Sequence, residues 1–104
     1  MQKATYAPVY CSIYPDLAEA VKAHGYALAI HGSMQRDFDL VCIPWTETAS
    51  HPMRVIEAIS EQFALSLVGD GVDKFHGRKA YTLLFGSWGT FLDLSFMPRI
   101  EVPQ

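Results

Sequence analysis

His31-Gly32-Ser33-Met34-Gln35-Arg36-Asp37-Phe38-Asp39-Leu40-Val41 is the stretch that decides how this chain is read. An apolar run of strand length, Tyr26 to Ile30, ends at its first residues. A second apolar run, Phe38 to Ile43, is broken only by Asp39 and stopped by Pro44. Two such runs predict neighbouring strands, with Gly32 and Ser33 in the turn between them. With a side-chain period of two, Asp37 and Asp39 share one face while Phe38 and Leu40 share the other. Adjacent carboxylates repel, and a divalent cation is a common way to offset this. Mg²⁺ in particular combines one or two carboxylates with substrate phosphates.

A third acid sits in Phe91-Leu92-Asp93-Leu94-Ser95-Phe96-Met97. Phe91, Asp93, Ser95 and Met97 alternate onto one face of this strand, and Leu92, Leu94 and Phe96 onto the other. Asp is depleted in strands and seldom buried alone. An acid in such a strand is costly unless it is paired, solvated in a cleft or bound to metal.

Working outward, residues 1–14 are polar and aromatic and predict an extended lead-in or a short strand. A helix then opens at Pro15, with Leu17, Ala20, Val21 and His24 at helical spacing and Gly25 as its stop. Thr46 to Ser50 is a polar linker. Pro52 opens a second helix whose Met53, Ile56, Ile59 and Phe63 form an apolar stripe. Gly69-Asp70-Gly71 predicts a turn and Val72 to Gly77 a polar loop. Lys79 to Phe85 and Thr90 to Met97 predict a hairpin joined by Gly86-Ser87-Trp88-Gly89. The predicted order is helix, strand, strand, helix, strand, strand. That is an α/β (α+β) arrangement: a small mixed or mostly antiparallel sheet with two main helices.

The chain has 104 residues, of which 50% are hydrophobic and 18% charged. This composition excludes disorder, and the length predicts one domain over residues 1–104. Eleven acids against eight Lys and Arg leave a net charge of −3, and the basic residues are scattered. No strong nucleic-acid footprint is expected from that pattern. No apolar run reaches membrane-spanning length, and the first residues lack a signal-peptide core, so the expected location is the cytoplasm. Cys11 and Cys42 lie in largely apolar stretches and are expected to be buried, reduced thiols. The four histidines lack zinc-site spacing. A half-covered sheet in so apolar a chain also invites completion by a second copy.

Gly32-Ser33, then Asp37-x-Asp39 at a strand start, then Asp93 on a later strand together resemble the nucleotidyltransferase superfamily. The resemblance spans roughly residues 15–97 and is similar to the small "minimal nucleotidyltransferases". The tract Gly32 to Trp45 looks especially like short nucleotidyltransferase-like proteins of phages and prophages. The resemblance implies that Asp37 and Asp39 are metal ligands and that Asp93 is the third carboxylate, activating a hydroxyl acceptor. It implies Gly32 and Ser33 as a phosphate-contacting turn, with Arg36 adding a bidentate phosphate donor. The implied cofactor is Mg²⁺, the implied ligand a nucleoside triphosphate, and the implied reaction nucleotidyl transfer to a hydroxyl. Only Met34, Gln35 and Arg36 separate Gly-Ser from the Asp pair, whereas most of the family has about ten residues there.

Plainer roles compete with these. Arg36 or Arg99 could pair with Asp39 or Asp93, His31 could be a satisfied strand-end histidine, and Trp45 and Trp88 could pack at the core or its rim. The loop Gly69 to Gly77 is a plain connection or a substrate lid. Two further function classes stay open beside the transferase. One is a catalytically silent module that binds a protein partner, as in a phage accessory or antidefence role. The other is a metal-dependent phosphohydrolase.

Overall fold

A computed structural model describes residues 6–34, 36–86 and 90–99. Two helices and five strands follow one another as α1 (Ala7–Lys22), β1 (Tyr26–His31), β2 (Phe38–Pro44), α2 (Pro52–Phe63), β3 (Leu65–Asp73), β4 (Lys79–Phe85) and β5 (Thr90–Phe96). The strands form one sheet in the order β1-β2-β5-β4-β3. β2 and β5 run parallel, and every other neighbouring pair is antiparallel. The fold is therefore α+β with a mixed sheet, as the sequence predicts.

Period-two burial explains why both helices lie on one face. Phe38, Leu40 and Cys42 of β2 stand beside Leu92, Leu94 and Phe96 of β5, and these residues are almost completely buried. Tyr81 and Leu83 of β4 and Tyr26 and Leu28 of β1 continue the same face. Against it pack Tyr10, Ile13, Leu17 and Val21 of α1 and Val55, Ile56 and Ile59 of α2. Each such side chain contributes about 1.5–3 kcal/mol relative to exposure. No described helix is long and apolar enough to cross a membrane.

The structure departs from the sequence reading at two elements. α1 starts eight residues before Pro15, which lies inside the helix, so residues 7–14 are helical rather than extended. A proline here removes the N–H that would bond to the Cys11 carbonyl. Both Pro15 and Cys11 are exposed, so water can satisfy that carbonyl, while the opposite stripe anchors the helix. Cys11 is thus an exposed thiol, contrary to expectation, because it falls on the solvent side of a helix. Cys42 is buried as expected, and burial pushes its thiol pKa up.

The second departure is β3. Gly69-Asp70-Gly71 does not end the chain direction but forms a bulge inside this strand. Val68 pairs with Thr82 and Val72 with Ala80, so three residues of β3 face Tyr81 alone. The two glycines have positive φ, and a Cβ at Gly71 would stand 2.7 Å from the Tyr81 ring. The residues 87–89 of the predicted hairpin, with Trp88, lie outside the described residues. The flanking pair Phe85 and Thr90 is in register as a hairpin requires.

Tyr10 locks the entry to β2 from below. Its ring stacks on Phe38 with centroids 4.7 Å apart, and its hydroxyl donates to the Arg36 carbonyl. Phe38→Ala should lower unfolding free energy by about 3–5 kcal/mol. Tyr10→Phe should lower it by about 1–3 kcal/mol, since only the bond to Arg36 is lost. Urea denaturation of both variants checks the order.

Candidate functional site

The face of the sheet turned away from the helices carries a polar row. Register places His31 opposite Asp39, Asp39 opposite Asp93, and Asp93 opposite Thr82. The row therefore runs His31–Asp39–Asp93–Thr82 across four strands. The next row toward the far end of β2 is Ala29–Val41–Ser95–Ala80. A cleft of about 390 Å³ opens over these rows, lined among others by His31, Asp39, Asp93, Ser95, Lys74 and Arg78. Its floor is acidic, and the connection between β3 and β4 supplies two cations on its wall.

Register sets Asp39 and Asp93 side by side on adjacent strands, and Thr82 Oγ1 donates to Asp93 Oδ1 at 3.1 Å. Burial holds the Asp39 carboxyl above its ordinary value of 3.8. The charge of Asp93 pushes the same way, and His31 pulls down. Behind Asp39 stands Gly32, with φ +79°. A Cβ there would come within 2.7 Å of Asp39 Oδ2, so the turn after β1 needs glycine both for its left-handed backbone and for room beside the carboxylate.

The structure brings together two of the three predicted acids. Asp39 and Asp93 line the cleft, while Asp37 is exposed in the bend before β2 and lies outside the lining. The alternation that would have put Asp37 beside Asp39 starts only at Phe38, the first strand residue. Asp37 still acts at a distance, since its charge raises the pKa of Asp39 slightly further. Among the described residues, no group of three or more His, Cys, Asp or Glu side chains is arranged around one metal position. Gly32 supports Asp39 from behind, and exposed Ser33 and Arg36 are outside the lining.

The plain ion-pair role for the acids does not hold. Among the described residues the one ion pair is Lys79 Nζ to Asp73 Oδ1 at 3.2 Å, on the surface. Arg36 and Arg99 pair with neither Asp39 nor Asp93. Trp45 is 58% exposed and sits at the rim of a groove with Ala18, Lys22 and Leu28. Lys74, Arg78 and Thr82 went unread as site residues in the sequence, while alternation placed Ser95 on the face of Asp93. Thr82 could have been found once β4 and β5 were set in register. Lys74 and Arg78 could have been found as the charge cluster Lys74-Phe75-His76-Gly77-Arg78-Lys79. No protein-family model matches the sequence, and no curated protein matches it either.

Because the folded-state pKa of Asp39 is raised, its proton favours the folded state at low pH. That contribution is complete below the ordinary Asp range and is lost as pH rises through the raised value. At neutral pH the ionised pair costs about 0.2–1 kcal/mol, typical of like charges directly opposite across strands. Asp39→Asn should therefore raise the metal-free Tm at pH 7 by about 1–8 °C. The gain should vanish near pH 3, and thermal denaturation followed by circular dichroism across this range checks it.

Proposed function

We infer that the chain is a nucleotidyltransferase-like protein whose open-face cleft binds a nucleoside triphosphate with a divalent cation. The observation that carries this reading is the register of Asp39 opposite Asp93 in a cleft also lined by Lys74 and Arg78. Two neighbouring carboxylates repel, and a proton or a cation between them relieves that repulsion. Cations on the facing wall match the phosphates that complete an Mg²⁺ shell.

Asp39 and Asp93 fit Mg²⁺ as a two-carboxylate donor set, with phosphate oxygens and water for the remaining positions. When bound, the metal would polarise the phosphate and offset charge on the leaving group. The chain's own groups then have distinct tasks. Thr82 fixes the orientation of Asp93, and Gly32 leaves room for Asp39. Lys74 and Arg78 hold phosphate oxygens. In the transfer reaction a hydroxyl oxygen of the acceptor would bond to the α-phosphorus as its proton passes to water, the α–β bridging bond would break, and pyrophosphate would leave with the electron pair.

One observation favours the silent binding module as a second reading: Asp37 stands outside the cleft. The same charged cleft would then hold the nucleotide without transferring it.

Calorimetry with Mg²⁺ or Mn²⁺ and each nucleoside triphosphate tests the binding. The reading expects saturable binding that is lost in an Asp39→Asn/Asp93→Asn double variant and reduced less in Asp37→Asn. No binding to any triphosphate overturns it. Product analysis separates the classes: pyrophosphate release marks transfer, orthophosphate release marks a phosphohydrolase, and binding without either marks the silent module.

A further inference from the structure

A second, shallower depression of about 490 Å³ lies on the same open face, lined by Val41, Ile43, Pro44, His76, Met97 and Pro98. It adjoins the polar cleft by construction of the sheet. Val41 and Ile43 follow Asp39 by two and four residues on the same side of β2. At a strand rise of about 3.3 Å per residue they stand roughly 7 and 13 Å along from the carboxylate. On β5 the chain continues past Asp93 and Ser95 to Met97, whose N–H bonds the Cys42 carbonyl at 3.0 Å and keeps it beside β2.

One loop straddles both hollows. Lys74 and Arg78 line the polar cleft, while His76 between them lines the depression. The loop is closed at its foot by Lys74 N–H to the Arg78 carbonyl at 2.8 Å. It rests on the end of β5, for a Cβ at Gly77 would stand 2.9 Å from Pro98 Cγ. His76 itself has φ 62° and ψ 30°, a left-handed conformation sparsely used by non-glycine residues. The order along the strands is therefore acids at one end and an apolar floor further along, with the loop that carries Lys74, His76 and Arg78 flanking both.

We propose that this depression seats the nucleobase of the ligand, with the base lying on Ile43 and Met97 against His76 while its phosphates reach back past Lys74 and Arg78. The assignment rests on the polar cleft being a metal–phosphate site. A ligand with charged phosphates at one end and a flat, partly apolar ring at the other matches that order, whereas inorganic phosphate would leave the depression filled with water. Ile43, 44% exposed, is apolar surface that such a ring would cover.

The test compares an Mg²⁺-bound nucleoside triphosphate with Mg²⁺-bound inorganic triphosphate by calorimetry, in the wild type, Ile43→Ser and His76→Ala. Both substituted positions are exposed, so the variants should fold, and matched thermal melts verify it. Stacking of one base predicts that the wild type binds the nucleotide about five-fold or more tighter than inorganic triphosphate. That advantage should shrink in both variants, with inorganic triphosphate affinity unchanged. Equal affinity of the wild type for the two ligands overturns the base subsite and leaves the metal–phosphate site standing. An advantage that survives in both variants also overturns it, placing the base elsewhere. Binding of neither ligand removes the metal–phosphate site, and the base subsite with it.

Discussion

The parallel pairing of β2 with β5 is the constraint on which the rest of the molecule depends. It sets Phe38 beside Leu92, Leu40 beside Leu94 and Cys42 beside Phe96 on the helix side. A slip of one residue would turn Leu92, Leu94 and Phe96 to water and bury Asp93 under the helices. Burial of Leu92, Leu94 and Phe96 contributes about 1.5–3 kcal/mol each. Repulsion between two opposed acids is about 0.2–1 kcal/mol. The core therefore wins easily, and the pairing of Asp39 with Asp93 is imposed on the open face by packing on the hidden one. Substitutions among the leucines of β5 would disturb the carboxylates before any residue in the cleft was touched.

That coupling explains an economy in the site. Its polar members come from alternate positions of strands whose other positions build the core, so no dedicated scaffold holds them. Stability and chemistry share the same backbone, but on opposite faces. The charges absent from the sheet itself, Lys74 and Arg78, arrive from the connection between β3 and β4.

Much of this was legible in the sequence, and the failures have physical causes. β1, β2, β4 and β5 could be read because each is a largely apolar run of strand length bounded by turn residues, and α2 because its stripe starts at a proline and has no internal breaker. The first half of α1 was hidden by Pro15, whose local penalty is outweighed by Tyr10, Ile13, Leu17 and Val21. β3 was hidden by Gly69 and Gly71, which mark a turn in most strands and a bulge in this one. Asp39 and Asp93 could be read as acids out of place in apolar strands. Which acid stands next to which depends on long-range register, and so Asp37, first by spacing, falls outside the cleft. Lys74 and Arg78 stand in a visible charge cluster, but that the loop faces the acids depends on the long-range pairing of β3, β4 and β5.

The bulge has a consequence of its own. β3 is the last strand of the sheet, and the outer edge of such a strand offers unpaired amide and carbonyl groups to any extended chain that meets it. Three residues crowded opposite one break the even spacing that a docking strand would need, and two of them are glycines in left-handed conformations. Any run of regular edge is confined to the few residues on either side. The same bulge thus blunts this border against fibre-like stacking.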